Sequence, residues 1–147
     1  MGSPGQIVIT ITDDDVTTGP NPIDDSTFFV RQHYLDFLGR EADPSGLAFW
    51  VGSITSCGAD AGCREVKRIN ASAAFFLSIE FQETGGLVDG LYRAGYGARP
   101  TFTQFMPDTH AVGAGVRVGD QGWQATLAAN KAAFVEDPKR YQVIRRM

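Results

Sequence analysis

Few side chains in this sequence belong to the types that carry out catalysis, and those few stand far apart. Catalysis needs a nucleophile, a base or a metal held by neighbouring groups. The two histidines are His33 and His110. Asp108 and His110 could form an acid–base pair, but a spacing of two residues in a predicted loop is typical of turn and capping chemistry. His33 is predicted to be partly exposed on the first helix, on the face opposite its apolar stripe.

Two carboxylate pairs could also act together, Glu80 with Glu83 and Glu41 with Asp43. Helix-end electrostatics is the better explanation of both pairs. The sequence contains no G-x-S-x-G, H-E-x-x-H, P-loop or dinucleotide-binding motif. We therefore predict a protein that is not an enzyme.

An acidic run follows a predicted strand near the N-terminus. Residues 6–12 (QIVITIT) are rich in β-branched residues and alternate with a period of two, which favours a strand. The strand residues are Ile7, Val8, Ile9, Thr10, Ile11 and Thr12. ITITDDD resembles the closing strand of Calx-beta domains, and this resemblance implies that Asp13, Asp14 and Asp15 contribute calcium ligands. Because calcium takes six to eight oxygens and the rest of such a domain is missing, a solvated acidic turn is the preferred alternative.

Two cysteines, Cys57 and Cys63, flank a Gly-Ala-Asp-Ala-Gly loop whose glycines allow the chain to fold back. We predict a structural disulfide that links the end of helix two to the start of helix three. Free thiols, or metal or redox chemistry, are the alternatives. A real bridge would indicate an oxidising compartment, so we expect an extracellular or cell-surface protein.

The composition is that of a globular domain, with 43% hydrophobic and 20% charged residues. Thirteen Lys and Arg residues against seventeen Asp and Glu residues give a net charge of −4, which offers no electrostatic support for nucleic-acid binding. No apolar run approaches the ~18 residues of a membrane span, so membrane insertion is not expected. A small basic cluster near the C-terminus, with Lys139, Arg140, Arg145 and Arg146, is interpreted as a solvated helix end.

The helical pattern is clearest between residues 28 and 54. Val30, Tyr34, Phe37 and Leu38 form the apolar face of a helix that ends at Gly39. Asp43 followed by Pro44 starts a second helix, whose apolar face is Leu47, Trp50, Val51 and Ile54. Arg40 is a candidate ion-pair or capping partner inside the turn. We assign a structural role to the turn residues Gly39, Arg40, Asp43, Pro44 and Gly46.

Further helices are predicted beyond this pair. Helix three should begin near Asp60, with Val66 and Ile69 facing inward and a bend near Asn70. It should continue to the glycine pair at 85–86. A short helix over 87–94, a turn over 102–106 before Pro107 and a last helix capped by Asp120 should follow. Residues 112–119, with three glycines, could be a loop or a hairpin.

The pattern FV-x3-Y-x2-FLGREADPSGLAFW, followed by KRINASAAFFLSIEFQETG at 67–85, resembles domain of unknown function 4214. This bacterial family occurs in secreted and surface proteins and is thought to be related to the phycobilisome linker domain. The resemblance implies a fold and a cellular setting, and it implies no reaction.

An internal repeat supports a helical domain with pseudo-symmetry. Val30 and Val88, Tyr34 and Tyr92, and Gly39 and Gly97 are each 58 residues apart, and Arg99 echoes Arg40 with one inserted residue. We predict a mostly α, compact domain of five or six helices with an internal helix-turn-helix repeat. The predicted division is 1–22 for an isolated β-strand and linker and 23–147 for the helical domain.

The function we expect is a non-catalytic structural or assembly module, self-assembling through residues 7–12 into a filament or oligomer. Its partners would be protein: a second copy or neighbouring domains of a surface protein. The alternative is a module that binds carbohydrate or another surface polymer through exposed aromatics near residues 112–119. Trp50 and Trp123 could stack on sugars, although both lie on apolar helix faces and core positions suit them better. A hydrolase using His110 is the remaining class.

Overall fold

The structure, a computed structural model, describes residues 21–137. Within this range it contains six α-helices of twelve or more residues, one α-helix of five residues, and a short 3₁₀ turn at Pro22–Asp24, with no β-strand. The helices are α1 Ser26–Leu38, α2 Pro44–Thr55, α3 Ala61–Leu77, α4 Ile79–Glu83, α5 Gly85–Tyr96, α6 Phe102–Gly113 and α7 Trp123–Glu136. The mostly α, compact fold class is confirmed. The predicted strand at 7–12, Asp13–Asp15 and the basic cluster at 139–146 lie outside the described residues.

The first three helices begin at carboxylate caps. The side chains of Asp25, Asp43 and Asp60 accept hydrogen bonds from the backbone N–H groups of Phe28, Gly46 and Cys63. Helix α1 ends at Gly39, which adopts φ +64° and donates its backbone N–H to the carbonyl of Leu35. The predicted boundaries of α1 and α2 are therefore confirmed, because each depends on residues next to the boundary.

Helix α3 differs from the prediction in its buried face and in its break. Val66 and Ile69 do not face inward, since they are 57% and 60% exposed; the buried residues are Ala71 and Phe75. The helix runs without a bend past Asn70 and stops at Ser78. There the Ser78 hydroxyl donates to the carbonyl of Phe75 and also accepts from the backbone N–H of Phe81. Ser78 thus ends α3 and caps α4. Its hydroxyl bonds to backbone groups in place of helical hydrogen bonds, as hydroxyl side chains readily do.

The glycine pair at 85–86 does not end a helix as predicted, because Gly85 begins α5. Gly85 is buried, and a Cβ atom at this position would lie 3.0 Å from the ring of Phe105 and closer still to the ring of Phe81. The residue is therefore glycine because two aromatic rings approach the backbone there.

Two later boundaries also differ from the prediction. Helix α6 continues through Pro107 to Gly113, which keeps Val112 fully buried on the far side of the proline. Helix α7 begins at Trp123 after Gly122, which adopts φ +82°, so Asp120 is not its cap. Gly119, before Asp120, and Gly122, after it, both adopt positive φ and turn the chain ahead of the helix. Residues 114–122 form turns and no hairpin.

The internal repeat is confirmed at the level of whole helices. Helix α1 ends at Leu38 and α5 at Tyr96, while α2 and α6 span Pro44–Thr55 and Phe102–Gly113, and every one of these boundaries is displaced by 58 residues. Gly97 caps α5 at φ +67°, as Gly39 caps α1. The fully buried Val30 and Ile54 of the first hairpin correspond to Val88 and Val112 of the second. Two helical hairpins of the same design therefore form the frame of the molecule.

Each hairpin has its own core. The first cluster contains Phe29, Val30, Tyr34, Leu38, Ile54, Ala71, Phe75 and Phe81. The second contains Val88, Val112, Val116, Leu127 and Phe134. The half-buried Phe105 packs against both clusters. We call the boundary between the clusters the seam.

Candidate functional site

We call the turn between α1 and α2, residues 39–46, the signature turn. It contributes to a buried charge network rather than to an open site. Arg40 donates two hydrogen bonds to the Glu80 carboxylate, from Nε to Oε1 at 2.6 Å and from Nη2 to Oε2 at 3.1 Å. Its guanidinium also lies 5.0 Å from the centroid of the Tyr34 ring and 3.7 Å from the Asp43 carboxylate. Glu80 in turn accepts from the backbone N–H of Val118 across the seam. Arg40 also donates to the carbonyl of Glu41, so it pairs inside the turn, as the sequence predicts. Its stronger pairing with Glu80, outside the turn, is not predicted by the sequence.

The titration of this network follows from its contacts. Hydrogen bonds from the Gly46 backbone N–H and the Ser45 hydroxyl hold the pKa of Asp43 below its usual value. Burial raises the pKa of Tyr34, and the charge of Asp43 adds to that effect. Burial alone would lower the pKa of Arg40, but the hydrogen bond and the charge of Glu80 outweigh it and raise that pKa. Asp43 and Arg40 therefore stay charged and Tyr34 stays neutral at neutral pH, as expected of a structural network.

His33 lies between α1 and α3, and not on an outward face as predicted. Its ring is surrounded by Phe29, Phe37 and Phe75, with centroid distances of 4.1, 5.4 and 5.5 Å. Nδ1 is 2.9 Å from the carbonyl oxygen of Phe29, and Nε2 is 2.7 Å from the hydroxyl of Ser72. Burial lowers the pKa of His33. The neutral ring therefore donates from Nδ1 to Phe29 and accepts at Nε2 from Ser72.

A serine hydroxyl bonded to a neutral histidine is the arrangement of an activated nucleophile. Here, however, Ser72 lies in the middle of α3, where the backbone N–H groups are used in helical hydrogen bonds and cannot form an oxyanion hole. The orienting group on Nδ1 is a carbonyl rather than a carboxylate. The Ser72–His33 pair therefore functions best as a polar link between two helices.

Asp108 and His110 lie on different faces of α6. Asp108 is buried and accepts a hydrogen bond from the Tyr92 hydroxyl at 3.0 Å. His110 is exposed, and its ring lies against Gly39, where an added Cβ would collide with it. Two residues along a helix correspond to about 200° of rotation, which explains the separation. The arrangement gives His110 no cleft to share with Asp108.

Cys57 and Cys63 form a disulfide with a Cα–Cα distance of 5.6 Å. The bridge joins the turn after α2 to the first turn of α3, as the glycine-containing loop predicted. It fixes the direction in which α3 leaves the first hairpin.

The largest unexplained feature of the surface is the outer side of α3. Ile69, Phe76 and Leu77 are 60%, 51% and 70% exposed. Together with Val66 and Ala73, they recur at helical spacing along one side of the helix, opposite the buried Ala71 and Phe75. We call Val66, Ile69, Ala73, Phe76 and Leu77 the α3 apolar face.

This face continues toward the second half of the molecule. Ile79, 60% exposed, follows Leu77 and lines a cleft of about 260 Å³ against Trp123, Leu127 and Lys131 of α7. Lys131 forms an ion pair with Glu83 beside this cleft. A smaller cleft of about 130 Å³ lies over Arg40, Trp50 and Phe75. A cleft of about 370 Å³ lies elsewhere, along α1 beside Phe28, Arg31 and Leu35. The cleft next to Ile79 is below the ~300 Å³ of typical ligand pockets, so the α3 apolar face suits a polypeptide better than a small molecule.

The aromatic residues are placed as their sequence predicts in most cases. Of each adjacent phenylalanine pair, one ring is buried and one exposed: Phe29 is 7% and Phe28 is 44% exposed, and Phe75 is 4% and Phe76 is 51% exposed. Trp50 and Trp123 are half-buried against the first and second clusters. Near residues 112–119, Val112 and Val116 are buried. The exposed residues of the segment are Ala114, Gly115, Arg117 and Gly119, and none of residues 112–119 is aromatic, so the segment itself offers no ring for sugar stacking.

The metal prediction cannot be placed, because Asp13, Asp14 and Asp15 lie outside the described residues. Within residues 21–137, no cluster of three or more His, Cys, Asp or Glu residues could hold a metal ion. None of the helices in this range is long and apolar enough to cross a membrane.

Sequence reasoning missed both the buried Glu80 and the α3 apolar face. A signal for the face was available: Val66, Ile69, Phe76 and Leu77 fall on one side of a helix whose other side carries Ala71 and Phe75. A helix with two apolar sides can pack one side against its own domain and bind another partner with the other side.

Comparison with known protein families gives one match. Residues 21–85 match the family model described as Domain of unknown function (DUF4214). The matched range contains α1 to α4, including the signature turn and the α3 apolar face, and it ends at the first residue of α5. No curated protein and no solved structure matches the chain.

Proposed function

We propose that this protein is a non-catalytic structural module of a secreted or cell-surface bacterial protein, and that the α3 apolar face docks another stretch of polypeptide. The observation that carries the proposal is the exposure of four large apolar side chains on one side of α3, between 51% and 70% each. With Ala73 and Ile79 they form an exposed apolar surface, and exposed apolar patches on monomeric proteins are often interaction sites.

The setting is supported by two further features. The Cys57–Cys63 disulfide is of the kind that persists in oxidising compartments, which favours export. The resemblance of the signature turn to domain of unknown function 4214 brings with it the setting of secreted bacterial proteins related to phycobilisome linkers, which are assembly proteins. Partners of this kind are polypeptides: a second copy, or neighbouring parts of a surface protein.

Hydroxyl-radical footprinting of the full chain tests the docking face. Phe76, Phe49 and Phe102 share the same side-chain chemistry and are 51%, 66% and 70% exposed. If the face is docked, Phe76 should be oxidised several-fold more slowly than its exposure relative to Phe49 and Phe102 predicts. Oxidation of Phe76 in proportion to its exposure would contradict the proposal.

Light scattering of the same sample, with calcium and with chelator, identifies the docked partner. A doubled or larger mass assigns the face to other copies of the chain. A calcium requirement for that mass would support Asp13, Asp14 and Asp15 as ligands, whereas equal masses in both conditions would count against them.

A further inference from the structure

We propose that copies of this chain bind one another end to end, through two surfaces that repeat the seam between molecules. This inference goes beyond the docking role proposed for the α3 apolar face, because it uses other parts of the molecule and names a second copy as the partner. It follows from the way in which the two halves of the internal repeat pack against each other.

The internal repeat extends beyond the two helical hairpins. Residues 79–83, which form α4, correspond to residues 21–25, which contain the 3₁₀ turn Pro22–Asp24. Helix α4 packs against α5 as that turn packs against α1. Each half of the molecule therefore begins with a short helical turn and continues as a hairpin of the same design.

The seam is formed by different parts of the two halves. Helix α1 of the first half packs against α4 and α6 of the second. Near the end of α1, the rings of Phe37 and Phe81 lie 5.3 Å apart, and the ring of His110 lies against Gly39. The first half thus contributes the end of its first hairpin helix, and the second half contributes its short helix and its second hairpin helix.

The reciprocal contacts are missing. If a two-fold axis related the halves, the end of α5 would pack in turn against the 3₁₀ turn and α2, and these elements make no comparable contact. Gly97 and Gly52 correspond to Gly39 and His110, and an added Cβ at either glycine would meet nothing within 4 Å. The halves are therefore packed head to tail. Interfaces of this kind leave one unused surface at each end and generate rings or filaments when they are repeated between molecules.

The two unused surfaces can be named from the repeat. We call Tyr96, Gly97 and Arg99 the α5 end, and Asp24, Ala48 and Gly52 the α2 side. All six residues are exposed. The α5 end of one copy would meet the α2 side of the next, as the end of α1 meets α4 and α6 within the molecule.

The α5 end and the α2 side are complementary in size. Tyr96 stands at the position that corresponds to Leu38, and it is 54% exposed, whereas Leu38 is 7% exposed. On the other surface, Gly52 stands at the position that corresponds to His110. A larger side chain on one surface therefore faces a smaller residue on the other, which preserves the volume of the contact.

The charges of the two surfaces are complementary as well. Arg40 pairs with Glu80 across the seam. Arg99 corresponds to Arg40 with one inserted residue, and Asp24 lies two residues after the position that corresponds to Glu80. Arg99 and Asp24 are both exposed, and neither belongs to an ion pair among residues 21–137. Helix α2 itself carries no charged side chain, so it does not oppose the approach of Arg99.

Photo-crosslinking of the full chain tests the proposal. A benzophenone amino acid replaces Tyr96 in one variant. In a matched control it replaces Arg64, an exposed residue of α3 that lies outside both surfaces and outside the α3 apolar face. After irradiation we expect the Tyr96 variant to give products of dimer mass and above, several-fold more than the control. The crosslinks should lie within residues 21–25 and 44–55 of another copy.

Charge exchange in the Tyr96 crosslinking variant tests the orientation of the contact. Arg99→Asp should lower the yield of dimer, roughly fivefold at low salt, because an attraction becomes a repulsion. Adding Asp24→Arg to the same chain should restore the yield. Arg64→Asp, the same change outside both surfaces, should leave it unchanged.

Three outcomes would overturn the proposal: equal yields at Tyr96 and Arg64, products of monomer mass only, or crosslinks mainly outside residues 21–25 and 44–55. The docking function fails separately. If Phe76 is protected in footprinting but Tyr96 gives no dimer, the α3 apolar face is docked and the ends do not bind. If Tyr96 gives the expected products while Phe76 is unprotected, the ends bind and the α3 apolar face is not a docking surface.

Discussion

At the scale of single residues, the pair formed by Arg40 and Glu80 places two charges next to the seam. The Glu80 side chain is 7% exposed and that of Arg40 is 20% exposed, with two hydrogen bonds between them. Glu80→Gln should remove the carboxylate that takes both hydrogen bonds and leave the guanidinium with Asp43 alone, 3.7 Å away. We expect the free energy of unfolding to fall by about 2–4 kcal/mol, as measured by urea denaturation.

The matched control is Glu41→Gln. Glu41 pairs with Arg31 at 3.2 Å, but the two side chains are 66% and 54% exposed. Exposed pairs contribute little because solvent screens them, so this change should cost less than about 1 kcal/mol. Equal losses from the two substitutions would show that the Glu80 pair is not buried in solution.

His33 should make stability depend on pH. Because burial lowers its pKa in the folded state, the unfolded chain takes up a proton first as the pH falls through about 6.5. The free energy of unfolding should therefore fall as the pH drops through the unfolded pKa of about 6.5 and level off once the folded state is also protonated. His33→Asn should remove this part of the pH dependence, measured by urea denaturation across the range. An unchanged pH slope in the variant would be evidence that His33 is solvated.

The buried side chain of Thr109 lowers the stability of the fold for a different reason. Its side chain is fully buried, and its hydroxyl has no hydrogen-bond partner among the described residues. The corresponding position of the first hairpin, 58 residues earlier, is Val51. Thr109→Val keeps the shape and removes the unsatisfied hydroxyl, so we expect a gain of about 1 kcal/mol in thermal or urea denaturation. A loss would imply that a water molecule binds this hydroxyl.

At the scale of helices, the two glycine caps can be compared directly. Gly39 and Gly97 adopt φ +64° and +67°, but only Gly39 has a neighbour, the His110 ring, where an added Cβ would lie. Gly97→Ala should cost about 1–2 kcal/mol from backbone conformation alone. Gly39→Ala should cost more, and the excess should disappear in a His110→Ala background, as a double-mutant cycle by urea denaturation would measure. If the excess cost of Gly39→Ala persists in the His110→Ala background, the strain lies in the backbone.

Helix boundaries were predictable where one local residue decides them. Asp43 with Pro44, Asp60 and Gly39 stand at the ends they cap, because a cap depends only on residues within one turn. Pro107 and Asp120 were misleading. Helix α6 continues through Pro107 and keeps Val112 buried, so packing outweighs the local preference of proline. Gly122, at φ +82°, delays the start of α7 beyond Asp120.

The candidate site was less predictable than the fold. Periodicity shows that α3 has apolar residues on two sides, but it does not show which side meets α1. The Arg40–Glu80 pair spans forty residues of sequence, and nothing local marks either residue as a partner of the other. His33 was misplaced because it stands beside the apolar stripe of α1 yet lies under α3.

At the scale of the whole molecule, the two hairpins meet through Phe105. Phe105 packs against both clusters, whereas the corresponding Leu47 of the first hairpin packs against its own cluster only. Phe105→Ala should therefore uncouple the halves as well as destabilise them, by about 2–3 kcal/mol. Leu47→Ala should lower stability without uncoupling.

The two tryptophans provide the measurement, since Trp50 reports on the first cluster and Trp123 on the second. Each variant is measured once with Trp123→Phe, so that Trp50 reports, and once with Trp50→Phe, so that Trp123 reports. The two urea transitions should coincide for the otherwise unchanged chain and for Leu47→Ala. For Phe105→Ala they should occur at different urea concentrations. Coincident transitions in all three would mean that contacts other than Phe105 hold the seam.

The seam also determines how the module would respond to force. Asn21 lies in the first half and Asp137 in the second, so tension applied at these two points acts across the seam, which Phe105 and the hydrogen bond from Val118 to Glu80 span. We expect the halves to separate at low load while each hairpin stays folded, and the short disulfide loop to add almost no length. Several such modules in series would lengthen in small reversible steps before any helix unfolds.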